Sequence, residues 1–218
     1  MILEGMEVIM KKVKQTIISN KSWIIFLVCI VVFYEIVENI FQNEIYIFDE
    51  LVYFYVSKII NDPLTIFMKI ITALGSGIVI VTLCVYALLV PKNKKCGKLL
   101  VLNTIVIFVI NQLLKLIFAR PRPEGFRLIE QGGFSFPSGH SMVSMAFYGL
   151  IIYFIYKNVN NKYLKWTLIS ILACLIILIG LSRIYLGVHY ASDVIGGFCF
   201  SIAYLVVFTK LINMDGNK

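Results

Sequence analysis

Leu99–Phe118 reads LLVLNTIVIFVINQLLKLIF, twenty residues with a single charge, Lys115, toward the far end. A helix needs roughly 20 consecutive apolar residues to cross about 30 Å of hydrocarbon. This run meets that length, and similar runs recur on both sides of it. Over all 218 residues, 60% are hydrophobic and 15% charged, whereas soluble domains run near half and a quarter. An ordinary soluble fold is excluded. Reading apolar runs against charged breaks predicts six spans, near 23–40, 70–90, 99–118, 139–156, 166–186 and 194–212. The expected fold class is all-α, an integral membrane bundle forming one domain over residues 1–218.

The first span follows Lys11, Lys12, Lys14 and Lys21, the way a secretory signal begins. After its apolar run come Glu38, Asn39, Ile40 and Phe41, with no small-x-small cleavage pattern, so an uncleaved anchor is expected. Between the first two spans, Phe48, Leu51, Val52, Tyr55, Val56 and Ile59 recur at helical spacing while Asp49, Glu50, Tyr53 and Ser57 fall opposite. That pattern predicts an interfacial helix. Pro63 leads into the second span, where Gly75-Ser76-Gly77 offers small residues for close helix packing in preference to a substrate role. Cys29, Cys84, Cys96, Cys174 and Cys199 are scattered without C-x-x-C spacing and read as packing residues, not as a disulfide framework or metal site.

Six spans place both termini on one side. Thirteen of the twenty Lys and Arg residues fall on that side, in the termini and the loops at 91–98 and 157–165, accompanied only by Glu4, Glu7 and Asp215. By the positive-inside rule that side is cytoplasmic. The net charge of +8 is therefore a topology signal, and a nucleic-acid partner is not expected. All four arginines, Arg120, Arg122, Arg127 and Arg183, fall on the opposite side. A guanidinium presents a planar fork suited to phosphate or carboxylate oxygens, so this bias points to an outer anion site.

The two histidines both sit at predicted outer boundaries. His189 precedes Asp193 by four residues, one helical turn, so the carboxylate can accept from one ring nitrogen and leave the other as a free lone pair. Such a histidine is a nucleophile or a base according to what stands before it. Phe136-Pro137-Ser138-Gly139-His140-Ser141 opens an apolar helix, whose N-terminal amides favour an anion. Gly139 allows close approach, Ser138 can add a hydroxyl, and His140 can donate a proton to a leaving group. Lys115 and Arg122 bracket the end of the third span, and a phosphate shared with Arg183 would neutralise them. Arg120, Glu124, Arg127 and Glu130 read as loop or headgroup residues.

K-x6-R-P at Lys115–Pro123, P-S-G-H at Pro137–His140 and S-R-x5-H-x3-D at Ser182–Asp193, in that order, resemble the phosphatidic acid phosphatase type 2 superfamily of lipid phosphate phosphatases. No motif position departs from the pattern. The resemblance implies hydrolysis of a lipid phosphate without metal or cofactor. Lys115, Arg122, Ser138, Gly139 and Arg183 would hold the phosphoryl oxygens, His189 would attack phosphorus, Asp193 would support it, and His140 would protonate the leaving oxygen. The chain's size resembles bacterial members acting on phosphatidylglycerol phosphate or undecaprenyl pyrophosphate. The partners implied are a membrane lipid phosphate and the bilayer, with no obligatory protein. A lipid phosphotransferase, a non-catalytic lipid phosphate binder or flippase, and a vanadate-using haloperoxidase are the alternatives.

Overall fold

A computed structural model describes residues 2–42, 44, 46–89, 94–125 and 127–214, with side chains from residue 20 to 213. The side chains of Lys11, Lys12, Lys14, Lys92, Lys218, Glu4, Glu7 and Asp215, used in the sidedness count, lie outside the described residues. The described chain forms eight helices: α1 Ile2–Gln42, α2 Tyr46–Ser57, α3 Asp62–Leu74, α4 Gly77–Leu89, α5 Lys94–Phe118, α6 Gly139–Asn158, α7 Lys162–Tyr185 and α8 Ala191–Met214. Five stretches are long and apolar enough to cross a membrane: Asn20–Gln42, Lys94–Phe118, Gly139–Asn158, Lys162–Tyr185 and Ala191–Asn213.

The predicted span at 70–90 is instead a bent pair, α3 and α4, meeting at 43° across a break at residues 75–76. Counted as one, the pair is a sixth candidate span, and it begins earlier than expected because Asn61 caps α3 by accepting from the Leu64 amide at 3.0 Å and Pro63 follows in its first turn.

α6 is central, packing on α5, α7 and α8, while α1 covers α8, α3 leans on α7 and α4 on α5. The exterior is apolar: Leu27, Ile78, Leu116 and Ile117 are all exposed. Inside, Phe147, Leu150 and Ile179 pack beside wholly buried Asn103 and Ser144. This distribution suits lipid, where helix association rests on packing and interhelical hydrogen bonds because the solvent is itself apolar. Asn103 Nδ2, for example, donates to the Ala146 carbonyl at 3.0 Å, tying α5 to α6.

α2 lies against α7 and α8. Both stripes read from its sequence are divided between the bundle and the outside. Asp49 is buried and Val52, Tyr53 and Val56 face the bundle with it, whereas Phe48, Leu51, Tyr55 and Ile59 are exposed. Most of the apolar stripe turns toward lipid, so the bundle receives a mixed face.

Candidate active site

One end of the bundle gathers the C-termini of α5 and α7, the N-termini of α6 and α8, and the loop at 119–138. The loop is pinned by Phe136, which is wholly buried and packs against Phe33 of α1 and Phe118 of α5 at ring centroids 5.6 and 5.1 Å apart. Ser135 N donates to the Arg120 carbonyl at 2.8 Å, and Ser138 N to the Asp193 carbonyl at 3.1 Å. These bonds bring the three motif segments together.

The segments enclose a cavity of about 520 Å³ whose lining includes Lys115, Arg122, Gly139, His140 and His189. No lining residue among those described is acidic. Below the polar end, Phe108, Leu116 and Val143 make the wall apolar.

His189 follows directly from the end of α7, where the amides of Val188 and His189 both donate to the Arg183 carbonyl, at 3.2 and 3.3 Å. Its Nε2 lies 3.0 Å from the Arg122 Nη1, and its Nδ1 lies 3.3 Å from Asp193 Oδ2. A guanidinium only donates, so Nε2 must carry the lone pair and Nδ1 the proton. Burial drives the ring from its usual 6.5 down to about 3, against the pull of Asp193. His189 is therefore a neutral imidazole whose Nε2 lone pair lies at the cavity and accepts from Arg122.

The cations are held differently from one another. Lys115 Nζ donates to the carbonyls of Phe134 and Ser135. Arg122 is fixed through Nε to Gly132 O and Gly133 O, at 3.1 and 2.9 Å, and through Nη1 to Val188 O at 2.7 Å. Burial lowers the Arg122 pKa, with Asp193 opposing and Arg127 assisting. Arg183 is 1% exposed and bonds only neutral partners, Thr72 Oγ1 at 2.8 Å and Gln131 Oε1 at 2.9 Å, with Nε unpaired. A buried cation without a counter-charge is costly, and an anion in the cavity would relieve it. Arg183 is set behind Gln131, which lines the cavity.

Ser138 departs from its expected role. Its side chain is wholly buried, off the cavity wall, and caps α6 by accepting from the Ser141 amide at 3.4 Å and the Ser141 hydroxyl at 2.9 Å. Capping takes the Ser141 amide and Ser138 O takes that of Met142, so the Gly139 and His140 amides are the first-turn donors left for an anion. A Cβ on Gly139 would stand 3.1 Å from Asn111 Oδ1, so this turn approaches α5 closely.

Gly75 and Gly77 line the same cavity. A Cβ at Gly75 would meet Ile179 Cγ2 at 2.6 Å and the His140 ring at 3.3 Å, so the glycine both packs and clears space for His140. Gly75 has the packing role read from sequence, whereas a Cβ at Gly77 would meet open space.

Arg120 is the larger correction. It is 3% exposed, not a loop or headgroup residue, and its Nη1 donates to Asp193 Oδ1 at 2.7 Å while Nη2 donates to Asp49 Oδ2 at 2.8 Å. Burial alone would lower the Arg120 pKa, but Asp193 and Asp49 raise it above the usual value. Ser135 Oγ also donates to Asp193 Oδ2. Two arginines flanking Pro121, and an acid on the polar stripe of α2, were the available signals.

Residues 97–216 match the family model described as PAP2 superfamily. Phosphatidylglycerophosphatase B of Bacillus subtilis is 38% identical over 104 residues, covering 46% of this chain and 49% of that protein. Undecaprenyl-diphosphatase of Sulfolobus acidocaldarius is 29% identical over 137 residues, 60% of this chain and 62% of its own. The chain thus spans about half the length of the first of these relatives. Among solved structures, a transmembrane PAP2-type phosphatidylglycerolphosphate phosphatase from Bacillus subtilis superposes with a TM-score of 0.76 at 29% identity, over 89% of this chain and 97% of that one. Aquifex aeolicus LpxE gives 0.61 at 26%, over 73% and 93%. The helical bundle, the cavity and these matches agree, and the chain belongs to the PAP2 superfamily.

Proposed function

We propose that this protein is an enzyme that hydrolyses a terminal phosphate from a membrane lipid, with the site on the extracytoplasmic side. The observation that carries the reading is His189: a neutral ring, backed through Nδ1 by Asp193, with Nε2 facing a cation-lined, acid-free cavity. Lys115, Arg122 and the first-turn amides of α6 would hold the phosphoryl oxygens, and Arg183 would add charge from behind Gln131. Fixed donors aimed at developing charge are the main source of phosphoryl-transfer catalysis.

His189 Nε2 attacks phosphorus as the bond to the lipid oxygen breaks, and His140, across the cavity, delivers a proton to that oxygen. Asp193 stabilises the positive charge gained by the ring. Water then attacks the phosphohistidine, returns its proton to His140 and releases inorganic phosphate. The apolar lower wall of Phe108, Leu116 and Val143 suits the lipid stem. The relatives' names suggest phosphatidylglycerol phosphate and undecaprenyl diphosphate as first substrates to try.

The test is phosphate release by detergent-purified protein in EDTA, with wild type and H189A assayed on both lipids and on phosphatidic acid. Release that persists in EDTA and falls to background in H189A is expected. Release by H189A at the wild-type rate would overturn the mechanism, and release only on adding an acceptor lipid would make the protein a transferase.

A further inference from the structure

Asp49 of α2 lies outside the motif segments and Arg120 fills only a variable position of K-x6-R-P, yet the two close a buried ring around the base of His189. Arg120 spans two carboxylates, with Nη1 on Asp193 Oδ1 at 2.7 Å and Nη2 on Asp49 Oδ2 at 2.8 Å. All three side chains are at most 1% exposed. Asp49 is held in turn by the residue next to Asp193, accepting from Ser192 N at 2.9 Å and from Ser192 Oγ at 2.6 Å. Ser192 Oγ lies 2.8 Å from Arg120 Nη1, which closes the ring. The guanidinium also stands over the Tyr190 ring, 4.1 Å from its centroid.

The ring settles which oxygen of Asp193 faces the histidine. Arg120 engages Oδ1, so Oδ2 is left for His189 Nδ1, the Tyr190 amide at 2.9 Å and Ser135. It also settles charge. Arg120 alone would cancel Asp193 and weaken the support for a positive charge on His189. Asp49 offsets Arg120, so the three groups together carry one negative charge beside the imidazole. A buried ion pair is a doubtful source of stability. Orientation and charge balance at a reacting group give this one a reason to exist.

We propose that Asp49 and Arg120 are positioning residues for His189, with Asp49 holding and neutralising Arg120 so that Arg120 orients Asp193 without silencing it. The interfacial helix α2 thereby becomes part of the active site. The inference rests on His189 being the nucleophile.

The experiment compares R120Q, R120K, D49N and D49N/R120Q with H189A, reading kcat, KM and the 15N shifts of His189 in an H140Q background, where it is the only histidine. Removing the hydrogen-bond partner that orients a metal-bound histidine costs about 10- to 100-fold, and a loss on that scale is expected where the histidine is the nucleophile. R120Q and D49N should each lower kcat by about tenfold or more and leave KM within about twofold, since neither touches the phosphate. R120K keeps the charge but cannot fork across two carboxylates, and should fall between R120Q and wild type. The double variant should be more active than D49N, because removing the unbalanced Arg120 charge restores the force of Asp193. Relieving a buried charge imbalance also helps folding, so kcat is taken per folded protein and read with the 15N shifts, which a purely structural role would leave unchanged. The 15N shifts should move from a pure Nδ1–H tautomer toward a mixture in R120Q. If D49N fails to fold around an unpaired cation, the double variant, which leaves none, carries both readouts. Wild-type kcat and unchanged 15N shifts in R120Q and the double variant, with H189A inactive, would sink this inference alone. An active H189A would sink the nucleophile reading instead, whatever the ring does.

Discussion

The two nitrogens of His189 face opposite surroundings, a buried carboxylate on one side and a guanidinium at the cavity on the other. With its pKa pushed down to about 3 from 6.5, the ring stays neutral in the folded protein while the unfolded chain takes up a proton as pH falls below 6.5. The unfolded state then binds more protons, so His189 makes stability fall as pH drops from 6.5 toward 3 and contributes no pH dependence above 6.5. In the H140Q variant, 15N spectra should record neutral His189 down to at least pH 5; titration near 6.5 would contradict the packing described. His140 carries a separate prediction. An alkoxide leaving group needs a proton, whereas a pyrophosphate expels a tolerable anion. H140A should therefore slow phosphatidylglycerol phosphate hydrolysis at least about tenfold more than undecaprenyl pyrophosphate hydrolysis, measured as kcat on purified protein. Equal losses on the two lipids would remove His140 from the leaving-group role.

The break between α3 and α4 is the element that shapes the cavity. Tyr148 of α6 donates to the Leu74 carbonyl at 2.8 Å, satisfying the end of α3, and Thr72 two residues earlier accepts from Arg183. The kink thus brings Gly75 beside His140 and sets a polar residue behind the cavity. G75A pushes a methyl into Ile179 and the His140 ring, and overpacking of this kind costs about 1–3 kcal/mol. Activity should fall by about tenfold or more in G75A, with a smaller loss in G77A, where a Cβ meets nothing within 4 Å. Equal activities for wild type and G75A would mean that the kink does not position His140. α2 illustrates why element type was easier to read than element orientation. Its period predicts a helix at once, but which stripe turns inward depends on whether water or lipid lies outside, and a periodicity does not state that.

At the scale of the molecule, the loops at 119–138 and 186–190 share the site's end of the bundle, and the link at 159–161 lies at the other. The charge count is the basis for the proposal that the latter is cytoplasmic. In a cysteine-free background, R127C in intact cells should react with an impermeant maleimide, and K162C only after permeabilisation; the reverse pattern would invert the proposed topology. The all-helical membrane bundle, the approximate limits of most of its spans, and the grouping of Lys115, Arg122, Gly139, His140, Arg183, His189 and Asp193 were legible in the sequence. Hydrophobic length and motif spacing are local quantities, and a helix of known pitch projects them directly into space. What only the tertiary structure decided involves residues far apart in the chain. Asp49 and Asp193 share one guanidinium across 71 and 73 positions, Ser138 caps a helix in place of facing the cavity, and Arg183 lies behind Gln131. Each is the outcome of competition for hydrogen-bond partners inside a dry bundle, where a buried polar group must be satisfied by whichever neighbour the packing supplies.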